Sequence, residues 1–323
     1  MERFHKRNYA WAFLIVAVFI VLYLLVESNV INNYYQITLV TIMLNIIYAT
    51  GLNLVLGVAG QFSLGHAGFI AIGAYSGAIF TKQFDNSYVG LLVGMVVGIV
   101  ISIIVALIVG IPTLRLKGDY LAIATLGVAE IIRVVINNMR SITNGPAGIS
   151  NIPTITEWHL VYVFLVLTTI FILNYVYSSA GRATFAIQQD EIAAESMGVN
   201  VTKYKVLAFV LGAVTASIGG SLQATFLGII TPGEYTFNRS IDVLIIVVFG
   251  GIGSFTGTFL AAILLGLINL VLQDYGQLRM IIYALALILI MVFRPGGLMG
   301  TNEFRFGSWV TNLFSKERKE AAK

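Results

Sequence analysis

Long apolar runs separated by short polar or glycine-rich joints fill the chain from Trp11 to Phe293. Runs of membrane length recur near 10–27, 36–58, 66–81, 88–111, 120–137, 159–177 and 206–230. A longer apolar region follows at 241–272, and a last run lies near 279–293. Crossing a bilayer core takes about 20 helical residues. Inside lipid every backbone polar group needs an internal partner, which a helix supplies by itself. The pattern predicts an all-α polytopic integral membrane protein with roughly eight to ten transmembrane helices. Three parts follow along the chain: a short N-terminus at 1–8, a membrane domain at 9–300 and a tail at 301–323.

Charge sets the expected orientation. Arg3, Lys6 and Arg7 precede the first run, which ends in Val26-Glu27-Ser28-Asn29 without a small-residue cleavage pattern, so it reads as an uncleaved first span. Basic residues favour the cytoplasmic side. With the N-terminus inside, alternation also puts Arg115, Lys117, Arg182, Lys203 and Lys205 inside. The opposite loops hold Lys82, Arg140 and Arg239. The tail carries Arg305, Lys316, Arg318, Lys319 and Lys323, so both termini are expected on the cytoplasmic side. That parity fails if 241–272 is a single span. Its middle, Phe249-Gly250-Gly251-Ile252-Gly253-Ser254-Phe255-Thr256-Gly257, is a natural break. Two helices meeting at this glycine turn restore the parity, and broken helices at membrane depth are a device of transporters. Gly57-Val58-Ala59-Gly60-Gln61-Phe62-Ser63-Leu64-Gly65 is a fainter echo of the same joint and hints at an internal repeat. At the outer edge of the broken segment 241–272, Asp242 reads as a helix cap rather than a residue that touches cargo.

One segment stands apart. Ser178 to Lys205 carries Arg182, Asp190, Glu191, Glu195, Lys203 and Lys205, with Ile192-Ala193-Ala194-Glu195-Ser196-Met197-Gly198 inside it. A helix this short is unstable alone in water. A partner protein gripping it explains its presence; a connecting loop with a chance helical turn is the alternative.

Small residues recur every four positions at Gly90, Gly94 and Gly98, at Gly73 and Gly77, and at Gly212, Ala216 and Gly220. Such stripes let helices approach closely in lipid, either within one bundle or at a subunit interface. Glu130 and Arg133 share one face of a span, as a pathway or gate pair, a fixed ion pair, or charges snorkelling near its end. The aromatic stretch 304–314 suits a helix lying in the membrane interface.

Composition narrows the function. Of 323 residues 58% are hydrophobic and 11% charged, with a net charge of +4. A soluble domain averages about 25% charged residues, so a soluble protein is excluded. The basic excess fits cytoplasmic loops and calls for no nucleic acid. Without cysteine, thiol chemistry is absent. His5, His66 and His159 lie far apart, no metal cluster or nucleophile elbow is present, and no phosphate-binding loop occurs. The chain therefore reads as a non-enzyme without cofactor or metal of its own, and any ATP that drives it is used by another polypeptide.

Several separated motifs then carry a family resemblance. Gly51-Leu52-Asn53-Leu54, Gly60-Gln61-Phe62-Ser63-Leu64-Gly65-His66-Ala67-Gly68-Phe69 and Gly118-Asp119-Tyr120-Leu121-Ala122-Ile123-Ala124-Thr125-Leu126 follow in order. Glu130-Ile131-Ile132-Arg133, Thr143-Asn144-Gly145-Pro146-Ala147-Gly148-Ile149, Gly250-Gly251-Ile252-Gly253-Ser254 and Arg294-Pro295-Gly296-Gly297-Leu298-Met299-Gly300 come after them. Over about residues 40–300 the chain resembles the M-type permeases of branched-chain amino acid ABC transporters.

The resemblance implies a permease subunit in the cytoplasmic membrane of a prokaryote. Its expected partners are ABC ATPase subunits, a sibling permease, an extracytoplasmic substrate-binding protein, an amino acid substrate and the lipid bilayer. Importer permeases of this kind dock on the ATPase through a Glu-Ala-Ala-x-x-x-Gly motif. Here Ala193, Ala194 and Gly198 keep the spacing, Ile192 stands at the Glu position, and Glu191 and Glu195 are the candidates to compensate. The coupling set is then Arg182, Asp190, Glu191, Ala193, Ala194, Glu195, Gly198 and Lys203. Loops 138–158 and 231–240 would meet the binding protein. The translocation path is expected near Gln61, Ser63, His66, Glu130, Arg133, Gly250, Gly251 and Gly253. The same family includes permeases for urea and amides. An ion-coupled secondary transporter would equally use the two breaks, although intramembrane carboxylates beyond Glu130 are scarce.

Overall fold

A computed structural model describes residues 2–28, 32–84, 87–116 and 118–272, with positions 275, 281, 284–285, 288, 292 and 296–300. Lys117, most of the run at 279–293 and the whole tail at 301–323 lie outside the described residues. Twelve α-helices are described: α1 (Glu2–Glu27), α2 (Asn33–Asn53), α3 (His66–Gln83), α4 (Ser87–Thr113), α5 (Asp119–Asn138), α6 (Arg140–Thr143), α7 (Trp158–Tyr177), α8 (Ser179–Gln189), α9 (Glu191–Ser196), α10 (Val201–Leu227), α11 (Phe237–Gly250) and α12 (Phe255–Leu272). A π-helical turn at Leu54–Val58 prolongs α2. No strand occurs among the described residues beyond one isolated bridge, Ile149 to Ile230. Each apolar run up to residue 272 corresponds to a helix. Five described segments are long and apolar enough to cross a membrane. The protein is an all-α, multi-pass membrane protein.

α2 and α10 form the centre. The membrane-length windows of α2 and α10 are 83% and 72% buried, against 28% for both α4 and α7, so the latter two lie at the periphery. α10 packs on α2, α3 and α4. Glycine makes this packing close. A Cβ at Gly73 would collide with the Ser217 carbonyl, and one at Gly220 with that of Ile70. The Ser221 hydroxyl donates to the Gly73 carbonyl at 2.9 Å. Gly94 and Gly98 press on Gly77 and Ser76 in the same way. All three small-residue stripes thus serve packing inside this bundle, where lipid supplies no hydrophobic drive for helix association.

The break in 241–272 is present. α11 ends at Gly250, α12 starts at Phe255, and Gly251 and Gly253 turn the chain at φ +114° and +89°. The two helices pack on each other at the turn, where a Cβ on Gly257 would strike the Gly250 carbonyl. Asp242 does not cap a helix. α11 already begins at Phe237, which leaves Asp242 in its second turn with an exposed side chain.

At the far end from α8 and α9, the expected outer loop 138–158 is tied to the end of α10 and to Ile230 beyond it, while 237–240 of the expected loop 231–240 already belong to α11. Ile149 and Ile230 exchange backbone hydrogen bonds at 3.0 Å, and the Thr156 and Thr225 hydroxyls lie 2.6 Å apart. Lys82 donates to the Ser150 carbonyl at 2.9 Å. An open groove of about 400 Å³ beside Lys82, Asn144 and Ser150 faces outward there.

Candidate functional site: a capped loop helix and two joined breaks

The polar loop folds as a helix pair. Ser178 caps α8 by accepting from the Gly181 amide at 3.2 Å, and Arg182 donates to the Tyr177 carbonyl at 3.2 Å. Arg182 thus seals the end of α7. Asp190 then separates α8 from α9. Its Oδ1 accepts from the Ile192 and Ala193 amides at 2.9 and 3.0 Å, which satisfies two of the orphan donors of a six-residue helix. At the other end Gly198 takes φ +82°, a left-handed stop that suits glycine.

α9 presents its surface outward. Ala194 is buried against the body, whereas Ala193, Glu195, Ser196 and Gly198 are exposed. Ile192 and Met197 are 74% and 84% exposed, unusual for apolar side chains beside water. A Cβ at Gly198 would meet nothing within 4 Å. Glu191 pairs with Lys205 at 2.9 Å and so braces α9 against α10. Of the two acids considered as substitutes for the missing Glu, only Glu195 points outward without an ion-pair partner among the described residues. Lys203 lies over the Tyr204 ring at 5.7 Å. Lys205, outside the expected coupling set, is the brace.

Behind this loop lie both breaks, joined by one side chain. Asn53, fully buried, accepts from the Gly253 amide at 2.9 Å. It also donates to the Ser254 carbonyl and the Thr258 hydroxyl, each at 3.0 Å. A Cβ on Gly57 would collide with the Gly253 backbone. The first break reaches the loop as well. Gly60 turns at φ +66°, and a Cβ there would come within 2.8 Å of Gln188 Cγ on α8. From Gly60 the chain runs without helix to Gly65, held by Leu64 N–H to the Thr125 hydroxyl at 3.0 Å. Ala67 N–H, an orphan at the start of α3, donates to Ser240 on α11 at 3.0 Å.

The residues expected near the path fall in two places. Gln61, Ser63, His66, Gly250 and Gly251 are buried in and around the breaks, and Gly253 is half-buried there. The side chains of Gln61 and His66 keep buried polar atoms without a partner. A cavity beside Ser63 and His66 measures about 10 Å³, no more than one water could fill. Glu130 and Arg133 sit apart on α5 as a half-exposed ion pair of 2.7 Å. Asn53 carried no signal in the sequence that set it apart, because its three partners lie about 200 positions away.

Residues 34–293 match the family described as branched-chain amino acid transport system / permease component. The chain is 35% identical over 291 residues to the high-affinity branched-chain amino acid transport system permease protein LivM of Salmonella typhimurium, covering 80% of this chain and 68% of that one. It is 30% identical over 148 residues to LivH of Escherichia coli, covering 45% and 47%. A probable LivM of Methanocaldococcus jannaschii is 22% identical over 215 residues, covering 58% and 62%. No solved structure matches the chain. With most of its length matched by the family and by LivM relatives, the chain belongs to the branched-chain amino acid transport permeases, on their M-type side.

Proposed function

We propose that the chain is one permease half of an ATP-driven importer of branched-chain amino acids in a prokaryotic cytoplasmic membrane. Both termini and the α8–α9 loop face the cytoplasm, as the basic segments require. A sibling permease completes the membrane unit. Separate ATPase subunits bind and hydrolyse ATP, and a binding protein delivers the amino acid to the loops at the opposite face. The chain itself needs no cofactor.

α9 is the observation that carries this reading. It is a two-turn helix capped at both ends, braced by Glu191 and Lys205, with Ile192 and Met197 bare to water. A stand-alone carrier has no use for such a knob. Asp190 sets the start of the helix, Gly198 its end, and Ala193 and Glu195 lie on its free face. Arg182 and Lys203 flank it.

The test is co-purification of ATPase from native membranes with wild type and with Gly198→Arg, followed by ATP-driven leucine uptake in proteoliposomes. The substitution fills the open space at Gly198 and strains a left-handed residue. Wild type is expected to bring down an ATPase and take up leucine, and the variant to lose both. A wild-type chain without an ATPase partner overturns the reading.

A further inference from the structure

Two pairs of opposite charge stand three residues apart on α5 and α11, and only one pair is closed. Glu130 and Arg133 on α5 meet at 2.7 Å. Arg239 and Asp242 on α11 form no ion pair, with each other or with any described residue. Order along the helix contributes: the acid precedes the base on α5, the better arrangement, and follows it on α11. The guanidinium of Arg239 instead turns to α2, where Nη2 donates to Asn45 Oδ1 at 3.2 Å and the plane sits 5.2 Å from the Tyr48 ring centre. Its Nε is buried without a partner.

The depth of this site makes the open pair costly. α2 and its π turn run from Asn33 to Val58, and Asn45 lies midway along them. Ser240, next to Arg239, holds the first turn of α3, a helix that begins inside the bundle. Charges at this depth belong against a water-filled passage or a protein partner. Asp242 is exposed on the surface of this chain, and Arg239 is half-exposed beside it. Thr41 is also exposed, one turn from Asn45 on α2. α2 and α11 together thus offer a polar strip holding one fixed cation and one fixed anion about a helical turn apart.

We infer that Arg239 and Asp242 form a recognition point for the zwitterionic head of an α-amino acid on its way through the membrane, with Arg239 taking the carboxylate and Asp242 the ammonium. The inference rests on the importer reading above. An Arg fork already oriented by Asn45 and Tyr48 suits a planar carboxylate. A lone carboxylate one turn away matches a group that carries both charges on one carbon. Glu130–Arg133 satisfies itself and offers a ligand neither charge.

The test uses the complex of this chain with its sibling permease and ATPase, purified without binding protein. Retention of radiolabelled leucine is measured against leucinamide, which lacks the carboxylate, and 4-methyl-2-oxopentanoate, which lacks the ammonium. Wild type is expected to prefer leucine to both. Arg239→Met should weaken leucine about tenfold or more and lose the preference over leucinamide, while Asp242→Asn should lose the preference over the oxo acid. A folding defect would not split the two competitors in this way. If Arg239→Met fails to co-purify with its partners, Arg239→Lys carries the same measurement, keeping the charge and losing the fork. Unchanged preferences in both variants, or no retention of leucine by a wild-type complex that transports it, overturn the inference. A wild-type complex that neither retains leucine nor transports it once the binding protein is added back overturns the importer reading itself.

Discussion

The two breaks use the same glycine chemistry in opposite mechanical settings. The second break is tied from two sides. Asn53 grips Gly253, Ser254 and Thr258, while the Leu298 and Met299 amides reach the Phe249 and Gly250 carbonyls at 2.8 and 3.2 Å. Those carbonyls are among the orphans at the end of α11, so the later segment completes that helix. The first break is a π turn followed by a seven-residue run without helix, and its outer corner, Gly60, rests on α8. Glycine permits a sharp turn in either place, but the surrounding bonds decide whether the turn anchors or yields. Here the anchored turn is the second, and the one in contact with the coupling loop is the first.

Asn53→Leu attacks the anchor and should have the largest effect. It removes three hydrogen bonds and strands buried polar groups, a loss of about 3 kcal/mol. Thermal unfolding in detergent should show a clear drop in melting temperature, with uptake falling alongside. A variant as stable as wild type would mean that the two breaks do not depend on each other. Next comes Gly60→Ala, which strains a left-handed residue by about 1 kcal/mol and crowds Gln188. Uptake should fall more than stability, and adding Gln188→Ala should restore part of it by relieving the contact and leaving the strain. No rescue would separate the first break from the coupling loop. The smallest effect is expected from Lys205→Ala. It breaks the pair with Glu191 at a cost of about 0.5 kcal/mol, because the pair is partly exposed. ATPase activity coupled to uptake should drop while the fold stays intact.

Much of this architecture could be read from the chain alone, for identifiable reasons. Apolar runs set the helices because a bilayer demands a fixed length, so boundaries up to residue 272 fell within about five positions, except that α1 starts at Glu2, eight before its apolar run. The break at 249–257 followed from charge parity and glycine, both local signals. α9 followed from a polar island in an apolar chain. What escaped depended on distance. Nothing in Gly51-Leu52-Asn53-Leu54 marks Asn53 as the clamp of a turn two hundred residues on. Asp242 was expected as a cap because hydropathy places the start of α11 too late; the helix begins at Phe237, over Asn238 and Arg239, where polar residues hide its first turn. Lys205 looked like one more cytoplasmic cation until its distance to Glu191 was known.

The strap at Leu298 and Met299 also bears on how the protein is made. The amides that complete the end of α11 are synthesised 298 − 249 = 49 residues after the first carbonyl they satisfy. At typical translation rates of about 5–20 residues per second, the nascent α11–α12 hairpin waits roughly 2–10 s with that end unfinished. During that interval the insertion machinery or surrounding water must solvate the open carbonyls. A chain that ends before Leu298 would therefore leave the Phe249 and Gly250 carbonyls without these partners.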